Sequence, residues 1–417
     1  MNNKSILFVS AQDFKEKSIQ VIRKTPEAYQ NAGWNVHYIV ARDNSKNGNY
    51  FYESEVNPEG VEIQRFYMPL TALRDRIKNQ TIQKIFSKIS AYLCILKLAW
   101  HSHRLLNKNS FDIIYGYEIH GVLAIALIRL FKRLQNTKII TRFQGTWYYH
   151  FLKNRDIKRL ILNWESYIAL RTKSDICIMT NDGTSGDRVI KILNPENLKN
   201  LRFWLNGVDD QRITHNELKK FKISLGIPAD FYVALSICRL EEWKRIDRSI
   251  LIIKKIINEY NFNKLIYLIV GDGGQREFLE KLVDEYNLRN NIIFIGAIPN
   301  NDVKKFFSVT DIFLSTNDLT NVGNPLLEAI RANKIIFTLN IGDTSSWIKH
   351  SINGFIYDID DMMIDQMAND ILTVLNDPSI QKRITKNIKK TEDEKLWTWD
   401  ERFKAEIDEV EKLLQKG

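Results

Sequence analysis

The stretch LIYLIVGDGG, residues 265–274, joins six consecutive apolar residues to a glycine-rich turn. A continuous apolar run of this length is typical of a strand in a parallel sheet, where helices cover both faces. Glycines after such a strand let backbone N–H groups approach an anion, and the start of the next helix adds a favourable dipole. We therefore expect Gly271, Asp272 and Gly273 to lie in an anion site, although their spacing matches neither a G-x-G-x-x-G fingerprint nor a P-loop.

Similar apolar runs recur along the chain with helical patterns between them, and the series restarts after a polar segment that contains glycine and proline. This alternation predicts an α/β protein with two Rossmann-like, doubly wound parallel-sheet domains facing a cleft, with ligand at the carboxyl ends of the strands. The predicted strands are 5–10, 36–41, 61–66, 112–117, 138–143, 175–180, 201–204, 232–237, 265–270, 292–296, 311–316, 334–339 and 354–358.

The position of the polar segment sets the expected domain bounds. Residues 1–205 form the first domain, 206–228 the linker and 229–390 the second domain. The tail, 391–417, has the pattern of a charged amphipathic helix that packs back across the junction.

Composition restricts the class of protein. The 417 residues are 44% hydrophobic and 26% charged, which is a globular mixture. No apolar run approaches the ~20 residues of a membrane span, and the apolar run near the start is too short for a signal peptide. The three cysteines are isolated, which argues against a disulfide framework or a zinc site. We expect a cytoplasmic protein.

The formal charge of +10 calls for an anionic partner. Motifs of nucleic-acid recognition are missing from the sequence, so we expect no nucleic acid and consider anionic lipid or phosphate-bearing substrates instead. Residues 74–108 carry eight Lys and Arg against one Asp, with apolar residues interleaved at helical spacing. They are either amphipathic helices with a solvated basic face or a surface that rests on an anionic membrane.

The stretch NDLTNVGNPLLEAIRANK, residues 317–334, places a carboxylate inside an apolar run. Asn324 suits an N-cap and Pro325 the first helical position, so a helix should begin there. Glu328 then falls one position beyond that of a capping-box glutamate. It should point away from the apolar face, either to solvent or to a cleft.

The stretch CRLEEWKRID, residues 238–247, follows a predicted strand and carries Arg239 and Lys244. Two cations at the carboxyl end of a strand can neutralise a diphosphate with charge-assisted hydrogen bonds. Three neighbouring strand ends thus offer a cation pair, a glycine turn and a carboxylate, which is the outline of a nucleotide-diphosphate site.

These segments, together with LNGVD at 205–209 and NGFIYD at 353–358, resemble the retaining glycosyltransferases of the GT-B fold, glycosyltransferase family 4. The resemblance covers nearly the whole chain and is strongest between 200 and 360. It implies an enzyme that moves a sugar from a nucleotide-diphosphate donor, a UDP- or GDP-sugar, to a hydroxyl of a glycan or lipid-linked acceptor. It also implies metal-independent catalysis with no cofactor, a first domain that binds acceptor and a second that binds donor.

The resemblance assigns roles to individual residues. Arg239 and Lys244 match the Arg-x-x-x-x-Lys pair that holds the donor diphosphate and stabilises the departing nucleotide. Glu328 matches the second glutamate of a Glu-x7-Glu motif and would hydrogen-bond the donor ribose. Asn206 and Gly207 match an Asn-Gly between the domains, with Asn206 on the donor side.

The loop before Glu328 is implicated as well. Gly323 matches the glycine of the family's loop, and Asn324, Pro325 and Leu326 would present backbone amides to the sugar or phosphate. His120, which follows a strand, could line the acceptor side or cap a turn.

The chain departs from the family pattern at three places. Thr320 stands where the first glutamate of Glu-x7-Glu would be, so we expect it on the donor side, and Asp318 is nearby but out of register. Gln144 and Gly145 replace a His-Gly expected on the acceptor side, and SAQDFKEKS at 10–18 replaces a glycine-rich loop. These departures leave open the donor sugar and the details of catalysis.

Three functions therefore stay in play. The favoured one is a glycosyltransferase of cell-surface polysaccharide or glycolipid assembly, cytoplasmic or peripheral at the inner membrane face. The second is a catalytically inactive relative that binds nucleotide sugar or glycan as a partner or regulatory subunit. The third, a sugar-nucleotide epimerase of similar architecture, fits the cation pair and the NPLLEA segment less well.

Overall fold

The computed structural model describes residues 4–14, 20–44, 55–131, 134, 136–210 and 213–415. Residues 15–18 of the SAQDFKEKS segment lie outside the described residues. The chain divides into unit 1, residues 1–181, 185–205 and 401–417, and unit 2, residues 182–184 and 206–400.

Unit 1 is built on a seven-stranded parallel sheet with the order β3-β2-β1-β4-β5-β6-β7. Its strands are almost wholly buried except at the edge strands β3 and β7, as expected for a sheet covered on both faces. The strands are β1 (Ser5–Ser10), β2 (Asn35–Arg42), β3 (Glu62–Tyr67), β4 (Ile113–Tyr117), β5 (Lys138–Phe143), β6 (Ile176–Thr180) and β7 (Leu201–Trp204).

The helices of unit 1 include one long element, α3, whose Asn79 N-cap accepts hydrogen bonds from the amides of Thr81 and Ile82. The described helices are α1 (Gln20–Asn31), α2 (Thr71–Arg76), α3 (Gln80–Leu106), α4 (Glu118–Phe131), α5 (Tyr148–Lys153), α6 (Ile157–Leu162), α7 (Trp164–Leu170) and α8 (Gly186–Leu193). The C-terminal helix, given below, also contributes residues to unit 1.

Unit 2 contains a six-stranded parallel sheet with the order β10-β9-β8-β11-β12-β13. Its strands are β8 (Tyr232–Ile237), β9 (Leu265–Val270), β10 (Ile292–Gly296), β11 (Ile312–Ser315), β12 (Ile335–Leu339) and β13 (Phe355–Tyr357). Its helices are α9 (His215–Ser224), α10 (Ile246–Lys254), α11 (Arg276–Glu285), α12 (Val303–Val309), α13 (Asn324–Arg331), α14 (Met363–Asn376) and α15 (Pro378–Lys395). The segment expected to be a linker, 206–228, thus contains a helix of its own.

The C-terminal segment forms two helices rather than the single helix expected for 391–417. Helix α15 ends at Lys395, and α16 runs from Trp399 to Gln415. Between them Leu396 is extended, and the Trp397 carbonyl accepts a hydrogen bond from the Val208 amide at 2.9 Å. The helix breaks because this backbone bonds to the 206–208 segment instead of continuing its own ladder.

That contact explains Gly207. A Cβ on this residue would lie 2.4 Å from the Cα of Trp399, so only glycine lets the two backbone segments approach so closely. Within the described residues no helix is long and apolar enough to cross a membrane.

Candidate functional site

Arg239 and Lys244 lie in the loop that follows β8, as expected. Arg239 is exposed, while Lys244 is partly buried at the end of a short 3-10 turn, Glu242–Lys244. The Lys244 ammonium lies 3.9 Å from the centre of the Trp243 ring. Burial lowers the pKa of Lys244, and the positive charge of Arg239 lowers it further. Two like charges are therefore held close together at this strand end.

Neither cation is compensated by a carboxylate among the residues that the structure describes. The next two arginines of the segment, in contrast, are paired. Arg245 lies 2.9 Å from Asp247 and 3.3 Å from Asp318, and Arg248 lies 2.5 Å from Asp318. Carboxylates are thus within reach of this loop, including its own Glu241 and Glu242, yet none of the described ones forms an ion pair with Arg239 or Lys244. Both cations are therefore available to an anionic ligand.

The glycine turn after β9 packs directly against this loop. A Cβ on Gly271 would meet the Cys238 carbonyl at 1.8 Å, and one on Gly273 would meet the Leu240 carbonyl at 2.5 Å. The Leu240 amide donates to the Asp272 carbonyl at 2.9 Å. The absence of side chains therefore serves a close approach of two backbones, and the turn and the cation loop form one structural piece.

Two amides of this turn are already used within the protein. Gly271 donates to the Gly296 carbonyl at 2.9 Å, and Gly273 donates to the Asp272 carboxylate at 2.8 Å. This differs from the expectation that these amides are offered to an anion. The sequence signal for glycine was right, but its reason at these two positions is packing.

Helix α13 begins at Asn324 with Gly323 as its N-cap, so the predicted cap at Asn324 is wrong by one residue. The Asn324 side chain does not cap the helix because its Oδ1 accepts a hydrogen bond from Asn206 Nδ2 at 3.2 Å. Pro325 occupies the second helical position, where its missing N–H costs nothing. Leu326, on the predicted apolar face, is buried.

Glu328 is partly buried, and its carboxylate has no hydrogen-bond or ion-pair partner among the described residues. Burial and the negative charge of Asp209 raise the pKa of Glu328 to about 7. Three residues later, Arg331 forms an ion pair with Glu392 at 3.0 Å. Glu328 is therefore neither a solvated surface carboxylate nor part of a structural ion pair.

Thr320 has a hydroxyl that is already engaged. It donates to the Asp182 carbonyl at 3.1 Å and accepts from the Val322 amide at 3.1 Å. Gly183 packs so closely that a Cβ on it would lie 2.3 Å from this hydroxyl. The structure thus places Thr320 in a tight packing contact within unit 2, and its role on the donor side stays a prediction.

The expected acceptor-side residues all lie in unit 1. His120 is in the first turn of α4, and burial lowers its pKa while the Glu165 charge opposes the shift. The backbone N–H of Gln144 donates a hydrogen bond to the Glu118 carboxylate at 2.6 Å. The Gln144 side-chain nitrogen, Nε2, is buried without a hydrogen-bond partner among the described residues. Gly145 has a φ of +139°, which favours glycine.

Three residues of these sites escaped the sequence reasoning. Glu118 follows β4 directly and adopts a φ of +58°, an uncommon backbone conformation for a non-glycine residue. Trp243 carries the Lys244 ammonium on its ring, and Asp209 acts on Glu328. Glu118 could have been found from its place at a strand end, whereas the other two act through three-dimensional proximity.

Residues 218–391 match the family described as Glycosyl transferases group 1. An uncharacterized glycosyltransferase of Methanocaldococcus jannaschii is 27% identical over 236 residues, covering 55% of this chain and 58% of that protein. The UDP-Gal:alpha-D-GlcNAc-diphosphoundecaprenol alpha-1,3-galactosyltransferase of Escherichia coli is 25% identical over 66% of this chain and 69% of its own length. This chain covers 58% of the length of the archaeal protein, and 42% and 62% of the lengths of two further curated relatives.

Among solved structures, a sucrose-phosphate synthase from Thermosynechococcus elongatus aligns with a TM-score of 0.72. The alignment covers 99% of this chain and 100% of that chain at 18% identity, which concerns the fold alone. Together with the two parallel sheets, it confirms the GT-B fold. The family match confirms the resemblance to glycosyltransferases over residues 218–391.

Proposed function

We propose that this chain transfers a sugar from a nucleotide-diphosphate donor to a hydroxyl acceptor, because residues 218–391 match the family Glycosyl transferases group 1. The observation that carries the proposal is the pair of uncompensated cations, Arg239 and Lys244, at the end of β8. A donor diphosphate supplies the anionic partner that neither of these two side chains has among the described residues. The acceptor in this proposal is a growing or lipid-linked glycan.

The chemistry follows from charge. When the bond between sugar and phosphate breaks, negative charge grows on the departing nucleoside diphosphate, and nearby cations stabilise that charge. With Arg239 and Lys244 in this role, we propose a reaction that needs no metal and retains the configuration at the sugar. The departing phosphate then accepts the proton of the incoming hydroxyl on the same face, so the protein contributes positioning and electrostatics.

Glu328 fits the role of a ribose ligand. An ionised carboxylate accepts hydrogen bonds from two neighbouring hydroxyls, whereas a protonated one accepts less well. Its pKa of about 7 places this change within the physiological range.

The acceptor side of the proposal rests on unsatisfied polar atoms in unit 1. Gln12 Oε1, Tyr117 Oη and Gln144 Nε2 are buried without hydrogen-bond partners among the residues described. They follow or end β1, β4 and β5, which are neighbours in the sheet. An acceptor with several hydroxyls supplies both the donors and the acceptors that these atoms lack.

Helix α3 carries an exposed apolar stripe, which points to a lipid-linked acceptor at a membrane surface. Six large apolar side chains at helical spacing are between 36% and 56% exposed, and they are Ile82, Ile85, Ile89, Leu93, Leu96 and Trp100. Lys84, Lys97 and Arg104 of the same helix are also exposed, so the exposed surface of α3 is both basic and apolar, unlike the solvated basic face considered from the sequence. A combined apolar and basic face fits an anionic membrane.

A second exposed stripe lies beside it. Helices α6 and α7 expose Ile157, Ile161, Trp164 and Ile168. The Trp164 indole donates to the Tyr92 hydroxyl of α3 at 3.0 Å, which holds the two stripes next to each other. We propose that this joint surface rests on the anionic inner leaflet.

The donor site is tested first by thermal shift with UDP-, GDP-, ADP- and CMP-sugars on wild type, Lys244→Ala and Glu328→Ala. A ligand that binds only the folded state raises the melting temperature, and CMP-sugars, which lack a diphosphate, serve as the negative control. Lys281→Ala, which removes an exposed lysine of α11, is the matched control variant. We expect one diphosphate donor class to stabilise wild type and the control but neither site variant.

Activity separates the two leading functions. Transfer or donor hydrolysis by purified protein, unchanged by EDTA, supports a metal-independent transferase. Donor binding without either reaction supports the inactive relative, and binding of no nucleotide contradicts the transferase and leaves only an inactive relative that binds glycan.

Membrane binding is tested by co-sedimentation with anionic and with neutral vesicles. Leu96→Ser together with Ile161→Ser should weaken binding to anionic vesicles. Ile223→Ser removes an apolar side chain of unit 2 that is 76% exposed and serves as the control. Equal binding of all variants would exclude the stripes as the contact surface.

A further inference from the structure

We infer that Asp318 is a positioning residue, which holds the turn that carries Lys244 so that its ammonium stays uncompensated for a diphosphate. The inference rests on the proposed function for what Lys244 binds, but not for how Lys244 is held. In the sequence, Asp318 lies two residues before the position that the first glutamate of the Glu-x7-Glu motif would occupy. In the structure both of its carboxylate oxygens are occupied by arginines, Oδ2 by Arg245 and Oδ1 by Arg248.

The turn that Asp318 holds is strained. Arg245, directly after Lys244, has φ of +50° and ψ of +44°, in the left-handed region that a non-glycine residue seldom adopts. Such a conformation persists only where surrounding contacts hold it. The Arg245 guanidinium is fixed between Asp247 and Asp318, so the ion pairs act on the strained residue itself.

The backbone of the same turn is tied down by the loop after β11. The Asp318 amide donates to the Trp243 carbonyl at 2.9 Å, and the Thr316 hydroxyl donates to the Arg245 carbonyl at 2.8 Å. These bonds secure the residues on both sides of Lys244. Asp318 therefore contributes one backbone bond and one ion pair to the segment 243–245, and its second ion pair anchors it to Arg248 of α10.

This arrangement determines how the Lys244 ammonium lies against the Trp243 ring. With the main chain fixed on either side, the Lys244 ammonium rests against the Trp243 ring, a contact that lowers its energy without neutralising its charge. A carboxylate in that place would remove the charge that a diphosphate needs. The network thus places the acidic group behind the turn, on Arg245 and Arg248, where it holds the segment without pairing with Lys244.

The position of Lys244 can be measured without any nucleotide. Lysines carrying ¹³C-methyl groups on Nζ keep their charge, and the Lys244 signal, assigned by its loss in Lys244→Arg, should be shifted by the ring current of Trp243. In Asp318→Asn and in Arg248→Gln we expect this signal to move to the position of exposed lysines. Asp284→Asn, which breaks an exposed ion pair with Arg289, should leave it unchanged.

A signal that keeps its ring-current shift in both Asp318→Asn and Arg248→Gln overturns the inference. So does a wild-type signal that coincides with exposed lysines. Use of two variants, one on each side of the same ion pair, keeps the test valid if one of them fails to fold.

Anion binding adds a test whose sign discriminates, with inorganic pyrophosphate as the probe in calorimetry. Removing the Asp318 charge makes the region more positive, so simple electrostatics predicts tighter binding by Asp318→Asn. Loss of positioning predicts the opposite, a Kd raised by about tenfold, and no further change when Asp318→Asn is added to Lys244→Ala.

Tighter binding, or equal weakening in both backgrounds, means that Asp318 does not act through Lys244 and overturns the inference. If pyrophosphate and nucleotides bind no variant while the Lys244 signal responds to Asp318→Asn, the proposed function fails and the positioning role stands.

Discussion

Two groups of cations in this chain differ in burial and in whether a carboxylate pairs with them. In unit 1, Arg142 and Arg402 are fully buried, and Glu406 lies 3.1 Å from one and 3.0 Å from the other. In unit 2, Arg239 and Lys244 lie at a strand end and are not compensated by any carboxylate of the described residues. The cations that hold the fold of unit 1 together are buried with an anion, whereas the cations that we propose bind the donor lie at a strand end without one.

The buried group also has polar neighbours. Tyr115 donates to Glu406 at 2.9 Å, and Arg142 donates to Thr25 at 3.2 Å. A carboxylate that serves two arginines and a tyrosine cannot be replaced locally. Removing an anion should therefore lower the free energy of unfolding strongly in unit 1 and only slightly near Lys244.

The largest expected effect is that of Glu406→Gln. It leaves two buried guanidinium groups without a counter-charge, which costs about 3–5 kcal/mol of unfolding free energy. Denaturant unfolding followed by circular dichroism measures it. Glu409→Gln, which breaks the more exposed pair with Arg202, should cost less than about 1 kcal/mol, and equal losses for the two variants would contradict the comparison.

The second effect is that of Gly273→Ala. The added methyl group meets the Leu240 carbonyl at 2.5 Å, and the forced backbone shift should cost about 1–3 kcal/mol. Gly274→Ala is the matched control, because a Cβ there has nothing within 4 Å. We expect Gly273→Ala also to weaken pyrophosphate binding, since the cation loop rests on this turn. Identical unfolding curves for the two variants would sink the packing explanation.

The third effect depends on pH. Because the folded-state pKa of Glu328 is raised from 4.5 to about 7, its contribution to stability is fully present below pH 4.5 and is lost as pH rises through 7. Glu328→Gln should match wild type near pH 5 and be more stable by about 1 kcal/mol at pH 8.5, allowing for solvent screening. Melting temperatures at the two pH values test this, with the exposed Glu285→Gln as control. A difference that does not grow with pH refutes it.

The smallest effect on stability is that of Lys244→Ala. Its ammonium has no carboxylate partner in the described part of the chain, so we expect unfolding free energies within about 0.5 kcal/mol of wild type, or slightly higher. Pyrophosphate binding should nevertheless weaken by about tenfold or more, while Arg239 keeps it measurable. A loss of several kcal/mol would make Lys244 a structural cation like Arg142 and remove the contrast between the two groups.

The strands were predictable because buried parallel strands are continuous apolar runs. Every run singled out in the sequence coincides with a strand to within one residue at each end. The position of Arg239 and Lys244 in the loop after β8 was predictable for a related reason, since ligand sites of this architecture lie at the carboxyl ends of strands. Their role stays a prediction.

Other features depend on contacts between distant residues and could not be predicted. Arg142 and Glu406 are 264 residues apart, and no local pattern joins them. The two ion pairs of Asp318 with Arg245 and Arg248 join residues about 70 positions apart. The break between α15 and α16 depends on a hydrogen bond to Val208, which is even more distant in the sequence. The apolar stripe of α3 has the spacing of a core face, and only the structure shows that it is exposed.

The position of Glu406 in the chain has a consequence for synthesis. Its carboxylate completes a cluster whose other members lie on α1, β4, β5 and α16, yet residue 406 is translated long after α1 and the two strands. Unit 2, which ends at residue 400, can close while unit 1 still holds Arg142 without its counter-charge. A nascent chain arrested on the ribosome before residue 401 is expected to resist protease in unit 2 and to be cleaved in unit 1.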